Sequence, residues 1–281
     1  MKKNMPKPTP TKIIIAVVII AVIAIPAVIF ATRQKSAGDN PEASQSPVKK
    51  KKVSKPVNEI PVSERPYVFM TPTLNREIDV TITKINKEAT ELEFLAEYQY
   101  ETSLGGNENS FDLEQGLPAT KQFALYSRSA GGKTSYEEDV KGGTLTLKFA
   151  NPNEYWLKQD WSYYDRVNAK SSSKTSDLKS QDGKFLIEGT GLSSLKYAII
   201  YNSPGYPAEL PGTAMSDLYT FQYAGSTSAK TATVSIETLE QGSGTIYAWD
   251  GSDWQLAETT TSGNTSTADV PLAEAYIVIA Q

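Results

Sequence analysis

The side chains of this sequence that could carry out chemistry are carboxylates, hydroxyls, amines and aromatic rings, because its 281 residues include neither cysteine nor histidine. A Ser-His-Asp relay, a thiolate nucleophile, a disulfide framework and the usual zinc or copper ligand sets are therefore excluded. Paired carboxylates are available for glycoside hydrolysis, but Glu91, Glu93 and Glu97 alternate along a strand face and lack the apolar cleft of a working acid. The sequence predicts no catalytic residue, no cofactor and no metal site, and a protein that is not an enzyme.

Aromatic side chains are concentrated in two short stretches beside predicted turns, the first formed by Trp156, Trp161, Tyr163 and Tyr164 and the second by Trp249 and Trp254. Flat apolar rings with a polar edge can stack on sugars, so these six residues are candidate ligand-binding residues. The alternative is that the rings fill the ends of a β-sandwich, because large aromatics also dominate β cores. We expect Trp254 to be the most exposed of the tryptophans, since polar residues surround it in the sequence.

Three short motifs resemble functional signals but lack their context. Residues 130–134 (AGGKT) end like a phosphate loop, yet Ser127 stands where the first glycine would be, so a hairpin turn is predicted and no nucleotide. Residues 210–214 (LPGTA) resemble a sortase signal, but a long β-like sequence follows them, which favours a linker. Residues 250–253 (DGSD) lack the alternating acidic spacing of a calcium loop and are predicted to form a tight turn.

The segments that must position these side chains read as β-strands. Residues 91–101 (ELEFLAEYQYE) alternate apolar and polar side chains, which predicts a half-buried strand with an acidic face in water. Residues 196–201 and 276–280 are continuous apolar runs, typical of central strands covered on both faces. Similar alternation marks further strands around Ile78, Val80 and Ile82; Phe123 and Leu125; Leu145, Leu147 and Phe149; Tyr219, Phe221 and Tyr223; and Val234 and Ile236.

Turn sequences separate these runs, as expected between short antiparallel strands, and they include Gly105-Gly106, Gly131-Gly132, Gly142-Gly143, Asp182-Gly183 and Asp250-Gly251. Residues 168–183 are predicted to form a mobile loop outside the core. The whole pattern predicts an all-β ectodomain, an antiparallel sandwich of Ig-like or jelly-roll-like type. A group of prolines divides a β-sandwich domain at residues 67–210 from a smaller C-terminal β unit at residues 211–281, which is either separate or packed on the first.

An apolar segment near the amino terminus predicts a membrane anchor. Residues 13–32 carry no charge, and a helix of that length spans about 30 Å, the thickness of the hydrocarbon core. A cleaved secretory signal is the alternative, but the run exceeds a usual signal core and no small-residue cleavage site follows it. Residues 1–12 form a basic leader, predicted to be cytoplasmic, and the C-terminal domain is predicted to be extracytoplasmic on a single-pass protein of the cell membrane.

Residues 33–66 are rich in proline, lysine and serine and contain no aromatic residue, which predicts a disordered tether. The tether includes a run of four lysines that either attract anionic lipid or cell-wall polymers or remain solvated, namely Lys49, Lys50, Lys51 and Lys52. Residues 67–281 contain 16 basic and 28 acidic residues, a net charge of −12. A nucleic-acid partner is therefore not expected, because its binding requires neutralisation of phosphates by Lys and Arg.

The lysine leader, single anchor, Pro/Lys/Ser tether and cysteine-free β-rich outer region together resemble bacterial single-pass membrane-anchored surface proteins with β-sandwich ectodomains. Residues 245–261 (TIYAWDGSDWQLAETTT) and 275–280 (AYIVIA) are similar to small β modules that end such proteins. The resemblance concerns architecture and carries over no site. It implies a binding or adhesion protein that recognises an envelope glycan or protein partner. The alternatives are a structural envelope component without a soluble ligand and a carboxylate-dependent glycoside hydrolase.

Overall fold

The computed structural model describes residues 56–168 and 176–280, and their backbone is almost entirely antiparallel β-strand. These residues contain no α-helix, so the predicted all-β class is confirmed. Three short 3-10 turns lie at Val62–Glu64, Leu113–Gln115 and Leu192–Ser194. The strands are β1 (Tyr67–Pro72), β2 (Glu77–Lys84), β3 (Ala89–Tyr100), β4 (Ser103–Asp112), β5 (Ala119–Ala124), β6 (Tyr126–Arg128), β7 (Thr134–Tyr136), β8 (Gly142–Pro152), β9 (Tyr155–Asp165), β10 (Asp177–Lys179), β11 (Phe185–Glu188), β12 (Tyr197–Ser203), β13 (Leu218–Ala224), β14 (Thr231–Glu237), β15 (Gly244–Trp249), β16 (Trp254–Leu256), β17 (Thr259–Ser262), β18 (Thr265–Pro271) and β19 (Ala275–Ala280).

A nine-stranded sheet forms the centre of the fold, with the strand order β16-β15-β19-β13-β12-β9-β8-β3-β4. A three-stranded sheet (β1-β2-β5), a five-stranded sheet (β10-β11-β14-β18-β17) and the hairpin β6-β7 accompany it. Strands from both sides of the predicted boundary at residues 210/211 belong to the central sheet, where β12 pairs with β13 along its whole length.

The two smaller sheets pack on opposite faces of the central sheet, at different ends of it. The three-stranded sheet buries Val68, Ile78 and Val80 against β3, β8 and β9 on one face. The five-stranded sheet buries Phe185 and Val234 against β12, β13, β19 and β15 on the other face. The result is a sandwich-like arrangement in which a single sheet serves two cores.

The alternating pattern places β3 as the sequence predicts. Leu92, Phe94 and Ala96 are fully buried, whereas Glu93 and Glu97 are exposed. The continuous apolar runs form β12 and β19, whose side chains are buried on both faces because these strands lie in the middle of the central sheet. The predicted hairpin turn in residues 130–134 joins β6 to β7.

Two of the predicted glycine turns are wrong, because these glycines lie inside strands. Gly105 belongs to β4, where a Cβ atom would lie 2.4 Å from the ring of Tyr98. Gly143 belongs to β8, where a Cβ atom would lie 1.9 Å from the carbonyl oxygen of Glu97. Glycine is needed at both positions for close strand approach. The predictions hold at residues 131–132, 182–183 and 250–251, which lie in connections between strands.

The predicted loop at residues 168–183 also needs correction. Its residues from 177 onward include strand β10, whose Leu178 is fully buried in the core under the five-stranded sheet. Leu178 contributes to the core because β10 pairs with β11 at the sheet edge. Residues 169–175 lie outside the described part of the chain.

The predicted leader, transmembrane helix, most of the tether and the four lysines at 49–52 also lie outside the described residues. Within residues 56–168 and 176–280, no helix is both long enough and apolar enough to cross a bilayer. The last residues of the predicted tether pack on the fold. Asn58 donates from its main-chain nitrogen to the carbonyl oxygen of Trp156 at 2.9 Å, and Ile60 packs against the core under the three-stranded sheet.

Candidate functional site

Among the described residues, no sheet packs on the side of β3, β8 and β9 that faces away from the three-stranded sheet. Cross-strand register arranges the side chains of this surface in three rows: Glu93, Lys148 and Trp156; Leu95, Thr146 and Lys158; and Glu97, Thr144 and Asp160. We call these nine residues the open face. The same face of β12 and β13 is covered by the five-stranded sheet. The open face is therefore the part of the central sheet that is available to an external partner.

Ion pairs fix the charged side chains of the open face. The Lys148 ammonium lies 3.7 Å from the Glu93 carboxylate and 3.6 Å from that of Glu108 on β4. The Lys158 ammonium lies 3.7 Å from the Glu97 carboxylate. These partly exposed pairs add little to stability, but they hold donors and acceptors at set positions across the strands.

Trp156 is the aromatic residue of the open face, and its side chain is half-buried. The Lys148 ammonium lies 5.4 Å from the centroid of its indole ring, within the range of a cation-π interaction. Asn58 exchanges hydrogen bonds with the main chain of Lys158, two residues along β9, at 2.8 and 2.9 Å. The ring thus contacts a cation on the neighbouring strand, and the main chain beside it is fixed by Asn58; a half-buried indole of this kind can stack on a flat apolar ligand.

The other aromatic candidates lie elsewhere. Trp161 and Tyr163 lie on the face of β9 opposite to Trp156. They point into the core under the three-stranded sheet, where they are 0% and 2% exposed. Trp249 is 8% exposed and packs against Trp254, with ring centroids 5.2 Å apart. Tyr164 packs against the other core, and its hydroxyl donates to the carbonyl oxygen of Lys179 at 2.7 Å. Five of the six candidates therefore contribute to packing.

Trp254 is half-buried at the far end of the central sheet from β4. Its indole nitrogen donates to the carbonyl oxygen of Glu209 at 3.1 Å, and its ring packs with the segment at residues 206–214. The ring therefore holds a surface segment in place, although the sequence favours it as the most exposed tryptophan.

A second concave site lies where β9 ends, and we call it the Arg166 cleft. It has a volume of about 680 Å³. Its charged lining residues are Glu138, Asp139, Lys141, Asp165 and Arg166. Neighbouring Arg76 is 6% exposed and links two of these acids, since its guanidinium lies 3.0 Å from Glu138 and 3.2 Å from Asp165.

The sequence gives little warning of this cleft. Arg76, Asp165 and Arg166 belong to no recognisable motif, and Glu138 lies in an acidic stretch beside a glycine turn. Two of the aromatic candidates, Tyr163 and Tyr164, do line the cleft. One feature of the sequence does mark the cleft. Polar residues, among them Asp165, Arg166 and Asn168, interrupt the apolar alternation at the end of β9.

Comparisons of the chain with protein-family models, with curated proteins and with solved structures find no match.

Proposed function

We propose that this chain is a membrane-anchored extracytoplasmic binding protein that recognises an envelope glycan, or else an envelope protein, through the open face. The observation that carries the proposal is that no described part of the chain covers half of one face of the central sheet, although the rest of that face is buried. An uncovered sheet face with an aromatic ring and preset polar groups is a surface built for recognition.

The chemistry of the open face favours a sugar chain over a protein. Seven of its nine side chains are charged or hydroxylic, and only two, Leu95 and Trp156, are apolar. A protein interface core is depleted in charged residues, whereas a sugar presents hydroxyls to polar groups and a flat apolar face to a ring. Lys148 and Glu93 lie in the same row as Trp156, in position to bond to a sugar stacked on the indole.

The proposal includes the finer architecture and the location expected from the sequence. The two cores on one shared sheet favour an antiparallel sandwich of Ig-like or jelly-roll-like type. The apolar segment at residues 13–32 supports a single-pass anchor with a cytoplasmic amino terminus, and the composition of residues 33–66 supports a tether between this anchor and the β-rich region.

The test is binding of the full-length chain, in detergent micelles, to an array of envelope-type polysaccharides and peptides. Trp156→Ala should remove binding and lower the free energy of unfolding by less than about 2 kcal/mol, because a half-buried ring loses only part of its packing. Trp254→Ala is the matched control, since it truncates a half-buried indole at the other end of the sheet. We expect this control variant to bind like the parent chain.

Three results would contradict recognition through the open face, and a fourth would decide between the glycan and the protein partner. Binding that survives Trp156→Ala would place the recognition surface elsewhere. Binding to peptides alone would favour the protein partner, and binding to neither class would favour a structural envelope component. Release of reducing sugar from a bound polysaccharide would instead indicate a carboxylate-dependent glycoside hydrolase.

A further inference from the structure

The Arg166 cleft contains a buried cation for which the described residues supply no hydrogen-bond partner. Arg166 is 4% exposed, and all three nitrogens of its guanidinium lack a partner within the described residues. Burial lowers the pKa of this guanidinium, with Tyr164 and Asp177 acting in the opposite direction. An arginine remains charged under all ordinary conditions, so the five donors of this positive charge find no acceptor among the described residues.

The other charges that line the cleft already have partners. Glu138 and Asp165 share the Arg76 guanidinium, at 3.0 and 3.2 Å. Asp165 also accepts hydrogen bonds from the main-chain nitrogens of Val167 and Asn168, both at 3.0 Å. Asp139 pairs with Lys141. Among the described residues that line the cleft, Arg166 is therefore the cation that lacks an ion-pair partner.

A buried charge without acceptors destabilises a fold, and a bound ligand that supplies the acceptors removes this cost. The planar guanidinium matches the two oxygens of a carboxylate or a phosphate. The carboxylates of Glu138, Asp139 and Asp165 also line this cleft, and their field opposes a dianion more than a monoanion. The balance of charge therefore favours a carboxylate over a phosphate.

We propose that the Arg166 cleft binds a small carboxylate-bearing ligand, with the Arg166 guanidinium bonded to the ligand carboxylate and the acidic lining residues facing its hydroxyl or ammonium groups. The site is separate from the open face, because Trp156 is not among the residues that line the cleft. This proposal is additional to glycan recognition at the open face, and the two proposals can be tested separately.

The binding test compares glucuronate with glucuronamide, which has the same shape without the charge, and with inorganic phosphate. We expect glucuronate to shift the Nε–Hε resonance of Arg166 in the full-length, isotope-labelled chain in micelles, and to do so more strongly than phosphate. Glucuronamide should leave the resonance unchanged. Arg166→Met should weaken glucuronate binding about ten- to a hundredfold, as expected for the loss of hydrogen bonds to a charged group. Trp156→Ala should bind glucuronate normally.

Stability gives a second measurement that a purely structural arginine would not reproduce. Arg166→Met should raise the thermal midpoint of the ligand-free chain by about 2 to 4 °C, because it removes a buried charge that has no partner. Arg76→Met is the matched contrast and should lower the midpoint, since it breaks ion pairs that the structure shows. A lower midpoint for Arg166→Met, or an Arg166 resonance that glucuronate does not move, would overturn the proposal. A stronger shift with phosphate than with glucuronate would also overturn it.

Discussion

At the scale of single residues, two carboxyl groups have pKa values shifted in opposite directions. Partial desolvation, together with the nearby Asp182 carboxylate, raises the pKa of Asp160 on the open face, although the Lys158 ammonium acts in the opposite direction. Hydrogen bonds from the main-chain nitrogens of Asp253 and Ser252 lower the pKa of Asp250 in the DGSD turn. The folded state therefore disfavours ionisation of Asp160 and favours ionisation of Asp250.

These shifts predict opposite effects of pH on two substitutions. Stability falls as the pH rises from the ordinary aspartate pKa to the raised pKa of Asp160, so Asp160→Asn should stabilise the protein at pH 7 and have no effect well below pH 4. Asp250→Asn should destabilise at pH 7, with an effect that fades as the pH falls through the lowered pKa. Urea denaturation of both variants at several pH values measures the difference, and effects of the same sign at pH 7 would refute the prediction.

The tryptophans show what the sequence could and could not assign at this scale. Trp156 and Trp161 are five residues apart on β9, so the period-two rule puts them on opposite faces. The rule does not say which face is covered. The face of β9 that carries Trp156 is open where β9 pairs only with β8, and the same face is buried further along, where β9 pairs with β12. Arg166 was missed for a related reason, since an unpaired buried charge is visible only in three dimensions.

At the scale of elements, the glycines at strand contacts make a sharp prediction. A Cβ atom on Gly143 would lie 1.9 Å from the carbonyl oxygen of Glu97, a backbone atom that cannot move without separating β3 from β8. Gly143→Ala should therefore destabilise the protein by about 3 kcal/mol or more, measured by chemical denaturation. The same change should increase hydrogen exchange along β3, because its pairing with β8 is lost.

Gly106→Ala is the matched control for that experiment. Gly106 also lies next to β3, but its nearest neighbour to an added Cβ atom is the carbonyl oxygen of Ala96 at 3.7 Å, an ordinary contact. We expect the control to change the free energy of unfolding by less than about 1 kcal/mol. Equal costs for the two variants would show that close approach is not what requires glycine at residue 143.

The strands with regular alternation, such as β2, β3 and β14, follow directly from the sequence because one face of each is buried and the other is wet. The short strands do not. β6, β7, β10 and β16 have three residues each, too few to display a period. Leu178 on β10 shows the consequence, since one apolar residue in a polar stretch completes a core.

At the scale of the whole molecule, the sequence predicted an all-β class but not how the sheets are arranged. Strand order depends on pairings between distant segments, such as β13 with β19, which no local pattern encodes. The open face follows from this arrangement, because the two smaller sheets cover different halves of the central one. The proposed recognition surface therefore depends on the sheet topology, whereas the proposed location at the cell membrane rests on the sequence alone.

The location can be tested with the natural absence of cysteine, because each introduced cysteine is then the single labelling site. Leu239→Cys places a thiol on a side chain that is 61% exposed, and Lys3→Cys places one in the basic leader. If the amino terminus is cytoplasmic, a membrane-impermeant maleimide should label the Leu239→Cys chain on intact spheroplasts and the Lys3→Cys chain only after lysis. The parent chain, which has no thiol, is the control for background. Labelling of Lys3→Cys before lysis, with protection of Leu239→Cys, would reverse the topology and place the open face and the Arg166 cleft inside the cell, away from any envelope glycan.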